Sequence, residues 1–377
     1  MRTILLLLLG AAAAACAQSS AQPIVPPPAI AARSFVLLDY RSQQALASQQ
    51  AGERVEPASL TKLMTAYLAF AALKQKRIQP DQTVQVSQRA AKAEGSRMFI
   101  DARKPVTVDE LLRGVIVESG NDACIALAEL LAGSEDGFAK MMNDQARQLG
   151  MQNSNFMNST GLPNPQHYST AQDLGLLAIA IIRDFPEYYP LYALKEYRYN
   201  NITQANRNRL LWSDAAVDGM KTGYTENAGY CMIASARRGE RRLLSVVLGA
   251  ASDSARAAES QKLLNYGFQN YDSVKLYEKN QALASPRVWK GVLNTVKAGF
   301  ASDLYVSVPK GQIDKVKANL ESRQPLLAPV SAGQKIGLMK LTIDGKPYAE
   351  LPVVALEDIA LAGMFGRGWD TLRLLFK

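Results

Sequence analysis

The run LTKLMTAYLAFAALKQ, residues 60–75, narrows the possible folds more than any other stretch. Its apolar residues recur on nearly every side of a helix, so the helix must lie at the centre of a core with other elements around it. At its mouth stands PASLTK, with Pro57 suited to a helix start and Ser59 three residues before Lys62. Residues three apart share a helical face, so Ser59 Oγ and Lys62 Nζ can touch. Either the pair is coincidence, or it is a nucleophile and its base. The chain of 377 residues exceeds one ordinary core, which predicts two domains. A hydrophobic fraction of 48% against 20% charged residues is that of a globular protein.

Residues 1–21, MRTILLLLLGAAAAACAQSSA, join a basic start to a leucine run and small residues, the pattern of a secretory signal peptide rather than a spanning helix. Cleavage after Ala17 or after Ala21 completes a small-x-small pattern; lipidation of Cys16 is the rival reading, but the alanines before it make a poor lipobox. The mature protein is therefore expected to be exported. Cys124 and Cys231 then remain, in a compartment that permits disulfides, yet their apolar flanks favour two free thiols in the core. A single histidine, His167, and no cysteine cluster argue against a structural zinc site. The net charge of +9 suits anionic lipid head groups or acidic wall polymers. It does not point to nucleic acid, because the lysines and arginines are scattered and the chain is exported.

After the proline-rich QPIVPPPAIAA, the segment SFVLLDY reads as a strand. Thr107 and Glu110 form a T-x-x-E capping box for a second helix, and Asn121 and Asp122 open a third that stops at Gly133. GYCMIASA and RLLSVVLGA flank the turn RRGE as an antiparallel hairpin. Strands near both ends with helices between predict an α+β domain over residues 30–272. From 273 to 357 the pattern alternates, as in DLYVSVP, and Asp344-Gly345 marks a hairpin turn, which predicts a small all-β domain.

S-x-x-K alone carries little weight, since on the order of one chance match is expected in a chain of this length. Ser307 and Lys310 form such a match, but Pro309 breaks any helix there. A Ser-His-Asp arrangement would have to use His167, and no G-x-S-x-G elbow exists. If Lys62 is the base it must act neutral. An unperturbed lysine titrates near 10.4, so this requires roughly 4 to 5 kcal/mol from burial and a second positive charge. Lys221-Thr222-Gly223 reads as an edge strand, with a cation, a hydroxyl and a glycine that admits a close backbone approach. Between the two lysines Ser119-Gly120-Asn121 offers a second hydroxyl and an amide.

The ordered set S-x-x-K, S-x-N, K-T-G resembles the signature of penicillin-interacting serine enzymes. The strings PASLTKLMTAY, ESGNDAC and DGMKTGYTENAGYC are similar to those of low-molecular-mass penicillin-binding proteins, specifically the D-alanyl-D-alanine carboxypeptidases of serine peptidase family S11. The resemblance implies a penicillin-binding-protein/serine β-lactamase-like catalytic domain, an antiparallel sheet flanked by helices, then a β-rich domain and an amphipathic C-terminal helix. It implies Ser59 as the acylated nucleophile, Lys62 as its general base, Ser119 as a proton relay to the departing D-alanine, Asn121 as a holder of substrate backbone and Lys221 as the keeper of the network's charge. The backbone N–H groups of Ser59 and Tyr224, the latter just past Gly223, would form the oxyanion hole. Thr222 and an arginine of NRNRLL would bind the terminal carboxylate; Arg207 matches best, with Arg209 beside it. The implied substrates are peptidoglycan stem peptides ending in D-Ala-D-Ala, with β-lactams as inhibitors and no metal or cofactor. His167 falls in QHYSTAQD, of structural character. A β-lactamase would add a deacylating glutamate in E-x-x-L-N, and Glu196 to Asn200 lack the leucine and alternate like a strand.

Residues 358–377, DIALAGMFGRGWDTLRLLFK, place Leu361, Phe365, Trp369, Leu372 and Phe376 in one stripe of a helical wheel. Arg367, Asp370, Arg373 and Lys377 project elsewhere, which makes spanning a bilayer costly. A helix lying in the interface fits; Leu374, on the polar side, keeps packing on the β domain as the alternative. The expected location is the periplasm, with residues 358–377 resting on the outer face of the cytoplasmic membrane.

Overall fold

The computed structural model describes residues 25–375. The signal-peptide reading, and Phe376 and Lys377 of the tail, lie outside the described residues. The chain divides into two compact units: a larger one that runs to Val274 and takes back Tyr305–Lys310, and a smaller one made of Lys275–Leu304 and the chain from Gly311 on. Residues 305–310 are the difference from the contiguous division expected above. Ser307 Oγ and Ser42 Oγ lie 2.7 Å apart, and Lys310 N donates to Asn270 O at 3.0 Å.

The larger unit is built on an antiparallel sheet of β1 (Ser34–Asp39), β2 (Ala45–Gln49), β3 (Val217–Thr225), β4 (Gly229–Arg238) and β5 (Arg241–Ala250), in the order β2-β1-β5-β4-β3. The Lys221-Thr222-Gly223 strand is therefore an edge, as its sequence suggests. Alternate residues of β1 enter different cores. Val36 and Leu38 join the larger one, and Phe35 and Leu37 the smaller. Both faces are covered, which is why SFVLLD is apolar without interruption.

On the first face lie α1 (Lys62–Lys74), α2 (Asn121–Ala132) and α3 (Ala171–Asp184), and on the second α4 (Asp253–Asn270). All of α1 is buried except Ala71 and Lys74, which accounts for its apolar residues on every side. Ser59 stands on a 3-10 turn, Ala58–Thr61, that leads into α1 rather than on the α-helix itself. In a 3-10 turn side chains three apart eclipse, so the spacing of Ser59 and Lys62 serves as well as in an α-helix. Thr107 and Glu110 form the expected capping box, on a helix over Val108–Arg113 that runs into a π-turn, Gly114–Glu118. Both Cys124 and Cys231 are buried and free.

In the smaller unit, β6 (Ala298–Gly299), β7 (Val316–Ser322), β8 (Lys335–Ile343) and β9 (Lys346–Ala355) form a sheet in the order β6-β9-β8-β7, and Asp344-Gly345 closes the β8–β9 hairpin. The tail helix α5 covers Met364–Leu374, shorter than residues 358–377. Residues before it are held as extended chain instead: Ile359 bridges Val330 and Leu361 bridges Gly291. On α5 only Asp370 and Leu374 are half-buried; Met364, Phe365, Trp369, Leu372 and Leu375 are exposed. Asp370 Oδ2 accepts from Lys290 N at 2.6 Å, so the polar side faces the domain and the apolar stripe faces away. Leu374 thus belongs to the inner face. Among the described residues no helix is long and apolar enough to cross a membrane.

The serine turn depends on one glycine. Gly161 has φ +83, and a Cβ there would lie 1.8 Å from Ala58 O and 2.9 Å from Thr61 Oγ1. Gly161→Ala is expected to lose roughly 2–4 kcal/mol of stability, from strain at positive φ plus overpacking against backbone. Urea denaturation checks this; wild-type stability would mean that the turn yields without cost.

Candidate active site

A cleft of about 610 Å³ opens beside the serine turn, lined among others by Ser59, Ser119, Arg207, Thr222, Gly223 and Tyr224. Three parts of the chain converge on it. Lys62 Nζ donates to Ser59 Oγ at 2.8 Å and to Thr160 O at 2.6 Å. Lys221 Nζ donates to Ser119 Oγ at 3.0 Å and to Thr222 O at 3.1 Å. Each lysine thus holds one serine hydroxyl, and both lysines are buried.

The backbone places these groups by close approach. At Gly223 a Cβ would stand 3.2 Å from Ser59 N, from Pro57 O and from Ala58 Cβ, so glycine lets edge strand β3 come this near the serine turn without displacing it. Ser119 ends the π-turn with φ +62, a left-handed conformation that holds roughly 1–3 kcal/mol of strain in a residue other than glycine. Its hydroxyl is thereby turned to Lys221. Asn121 opens α2, and its Nδ2 donates to Glu94 O at 2.6 Å. That bond fixes the amide and leaves Oδ1 as an acceptor.

Burial is the main force on both lysines. It lowers Lys62 from 10.5 to about 8, with the Arg207 guanidinium adding to the effect and Cys124 and Asp122 opposing it. Burial pushes the Cys124 thiol up to about 12, so near neutrality it is an uncharged neighbour. Lys221 falls well below the ordinary lysine range, first through burial, then through Lys62 and Arg207. The second positive charge that helps to depress Lys62 is therefore Arg207 and not, as expected from the sequence, Lys221, which burial itself pushes well below the ordinary lysine range. A shift from 10.5 to about 8 disfavours the ammonium by roughly 3 kcal/mol.

The two arginines of NRNRLL separate clearly. Arg209 is ion-paired to Asp253, which also pairs with Arg256. Arg207 has no carboxylate partner among the described residues, and it acts electrostatically on both lysines.

Several supporting residues act through partners that the sequence does not mark. Asp122 accepts from the amides of Met98, Phe99 and Ile100 at 3.0, 2.8 and 3.2 Å, which pins a cleft-side loop to the start of α2. Arg256 Nη1 donates to Gly223 O at 3.0 Å from α4. Glu118, beside Ser119, is buried without a hydrogen-bond partner among the described residues, and burial raises its carboxyl to about 8, so it is neutral at pH 7. Their partners are distant in sequence, Met98 to Ile100 for Asp122 and Gly223 for Arg256.

Other candidates fall away from the cleft. His167 Nε2 lies 2.9 Å from Thr61 Oγ1, and burial lowers it to about 4, so it is a neutral support for the serine turn. Glu196 is exposed on a hairpin strand, Glu196–Tyr199, and does not line the cleft. Ser307 sits on a strand, Leu304–Pro309, with Lys310 beyond its end. Among the described residues no group of three or more His, Cys, Asp or Glu could hold a metal ion.

Comparison with known proteins agrees with this geometry. Residues 19–252 match the peptidase S11 family, D-alanyl-D-alanine carboxypeptidase, and residues 271–360 match the C-terminal domain of penicillin-binding protein 5. The chain is 42% identical over 356 residues to D-alanyl-D-alanine carboxypeptidase DacC of Escherichia coli (strain K12), covering 92% of this chain and 89% of that protein. The crystal structure of penicillin-binding protein 5 from Haemophilus influenzae superposes with a TM-score of 0.83 at 41% identity, covering 89% of this chain and 99% of that one. Penicillin-binding protein D2 from Listeria monocytogenes, in its ampicillin-bound form, is 31% identical with a TM-score of 0.60, covering 64% of this chain and 100% of that one. With two hydroxyl–lysine pairs meeting at one edge strand, and with these likenesses over nearly its full length, the chain belongs to the peptidase S11 family of D-alanyl-D-alanine carboxypeptidases.

Proposed function

We propose that Ser59 is the residue on which this serine-type D-Ala-D-Ala carboxypeptidase forms its acyl-enzyme. The observation that carries the assignment is the 2.8 Å bond between Ser59 Oγ and a buried Lys62 lowered to about 8. About a tenth of such a lysine is neutral at pH 7, enough to act as a base. Neutral Lys62 takes the Ser59 proton as Oγ attacks the carbonyl of the penultimate D-alanine. The oxyanion is held by the N–H groups of Ser59 and Tyr224. Ser119 passes a proton to the departing amine, with its hydroxyl oriented by Lys221, and Asn121 Oδ1 holds the substrate backbone. Water then cleaves the ester on Ser59, and a β-lactam that acylates the same oxygen inhibits the enzyme.

Arg207, with Thr222, takes the terminal carboxylate, because Arg209 is already committed to Asp253. The stem peptides of peptidoglycan that end in D-Ala-D-Ala are the natural substrates. A signal peptide over residues 1–21 would deliver the enzyme to the periplasm. There the exposed apolar stripe of α5 rests on the outer face of the cytoplasmic membrane, with Arg367 and Arg373 near lipid phosphates.

Ser59→Ala should abolish both D-alanine release from a pentapeptide and covalent penicillin labelling, and Lys62→Arg should be nearly as damaging, because a guanidinium keeps its proton. Labelling that survives in Ser59→Ala would refute the nucleophile. Acylation by the wild type should speed up from pH 6 and level off above about 8, as Lys62 loses its proton. A flat profile over that range would remove Lys62 as base.

Arg207→Ala should lower kcat/KM for the peptide by roughly 10- to 150-fold, the effect of one charged hydrogen bond, and move the pH profile upward. Arg209→Ala should do neither. Equal losses in both variants would share the carboxylate between them.

Deleting residues 358–377 should release an active, soluble enzyme. If the truncated protein still sediments with membranes, or the full-length protein washes off in moderate salt, the anchor lies elsewhere.

A further inference from the structure

The smaller unit carries a second exposed apolar feature close to α5. The segment PRVWKGVLNTVK, residues 286–297, folds back on itself: Arg287 bridges Thr295, and Val288 N donates to Asn294 O at 2.8 Å. Its tip is Val292, 60% exposed, and Leu293, 53% exposed. The ring of Trp289 at its base is buried. The tip is also rigidly built. Lys290 has φ +61, and a Cβ on Gly291 would lie 2.8 Å from Ile359 Cγ2 and 2.9 Å from Leu293 O.

This tip is joined to the segment that leads into α5. Val292 N donates to Ala360 O at 2.9 Å, Gly291 pairs with Leu361, and Ala362 N donates to Lys290 O at 2.8 Å. Lys290 N in turn holds Asp370 of α5. At 3.6 residues per turn, Phe365 and Leu372 lie about 140° to 160° around the helix from Asp370. The stripe therefore points away from the domain, and the exposed Leu361, which pairs with Gly291, lies four residues before Phe365 in the segment joined to the tip. Residues 286–297 contain no acidic residue; Arg287 and Lys290 flank the tip, while Lys297 is ion-paired to Glu357. An apolar tip flanked by cations fits an anionic bilayer: the apolar groups enter the acyl boundary while the cations meet phosphates.

We propose that the Val292–Leu293 tip is a second membrane-contact element that enters an anionic lipid interface beside α5. The proposal rests on the reading of α5 as an anchor. Two contacts joined by rigid hairpin bonds would fix the tilt of the smaller unit on the membrane, which a single helix leaves free to roll. Coupled contacts also bind more tightly than either alone.

The test uses full-length mature protein and vesicles of phosphatidylethanolamine with phosphatidylglycerol, compared with phosphatidylcholine alone. The double variant Val292→Asp, Leu293→Asp should lose at least about tenfold in partitioning to the anionic vesicles, with penicillin acylation unchanged. As a second measurement, Leu293→Cys carrying an environment-sensitive dye should blue-shift on anionic vesicles. Cys124 and Cys231 are buried and do not compete for the label. Wild-type partitioning of the double variant, or no dye shift on bound protein, would overturn the proposal. If in addition deletion of 358–377 abolishes binding, the α5 anchor stands without the tip. Failure of the full-length protein to bind either vesicle overturns the anchor and the tip together. A dye shift that follows protein concentration without lipid would assign the tip to contact between copies of the chain and equally overturn the proposal.

Discussion

The 2.8 Å hydrogen bond from Lys62 Nζ to Ser59 Oγ makes demands on almost every neighbouring element. An ammonium in an apolar core is unfavourable by several kcal/mol unless it is hydrogen-bonded or loses its proton. Here the remedy is mixed: Thr160 O accepts a second bond, and burial with Arg207 makes the proton easy to lose. The roughly 3 kcal/mol against the charged form is small beside the burial of Leu63, Met64, Leu68, Phe70 and Leu73 on the same helix, each worth about 1.5–3 kcal/mol. Helix α1 can therefore carry a misfit lysine at its mouth because its remaining length is core. The apolar character that makes the helix central is also what lowers the pKa of the lysine.

Edge strand β3 supplies the other half of the site. An edge strand leaves backbone groups without strand partners, which is a hazard on an open surface but here leaves amides free beside the serine turn. Here the exposed edge is used in two ways. Gly223 admits the serine turn to within contact distance, while Arg256, reaching from α4, ties Gly223 O from another side. Lys221, on the same strand, then holds the hydroxyl of Ser119, whose backbone is left-handed. Strain, close approach and buried charge thus occur together in one small volume, each supported by rigid neighbours. A cleft in which donors are fixed before substrate arrives needs little reorganisation when negative charge develops on the carbonyl oxygen.

Much of this was legible along the chain because it rests on short-range rules. The capping box at Thr107 and Glu110, the hairpin turn at Asp344-Gly345, the stop at Gly133 and the all-round apolar pattern of α1 each depend on a few consecutive residues, and each is found where its residues place it. The tail helix was legible in its stripe but not in its start, because residues before Met364 are captured by Val330 and Gly291, partners that no local pattern marks. Residues 305–310 likewise follow contacts with Ser42 and Asn270 rather than their position in the sequence.

By itself the sequence determined which chemical groups are present and at what local spacing: a hydroxyl three residues before a lysine, a second hydroxyl and amide at 119–121, and a cation, hydroxyl and glycine on one strand. Only the tertiary structure decided that they meet, since Lys221 and Ser119 stand 102 positions apart and Lys62 and Thr160 stand 98 apart. It also set the protonation of Lys62, distinguished Arg207 from Arg209 through Asp253, and turned the apolar side of α5 outward through Lys290 and Asp370. The physical reason is range. Helix periodicity and capping act over a turn or two of chain, whereas burial, charge coupling and close packing depend on whichever distant segments the fold brings alongside.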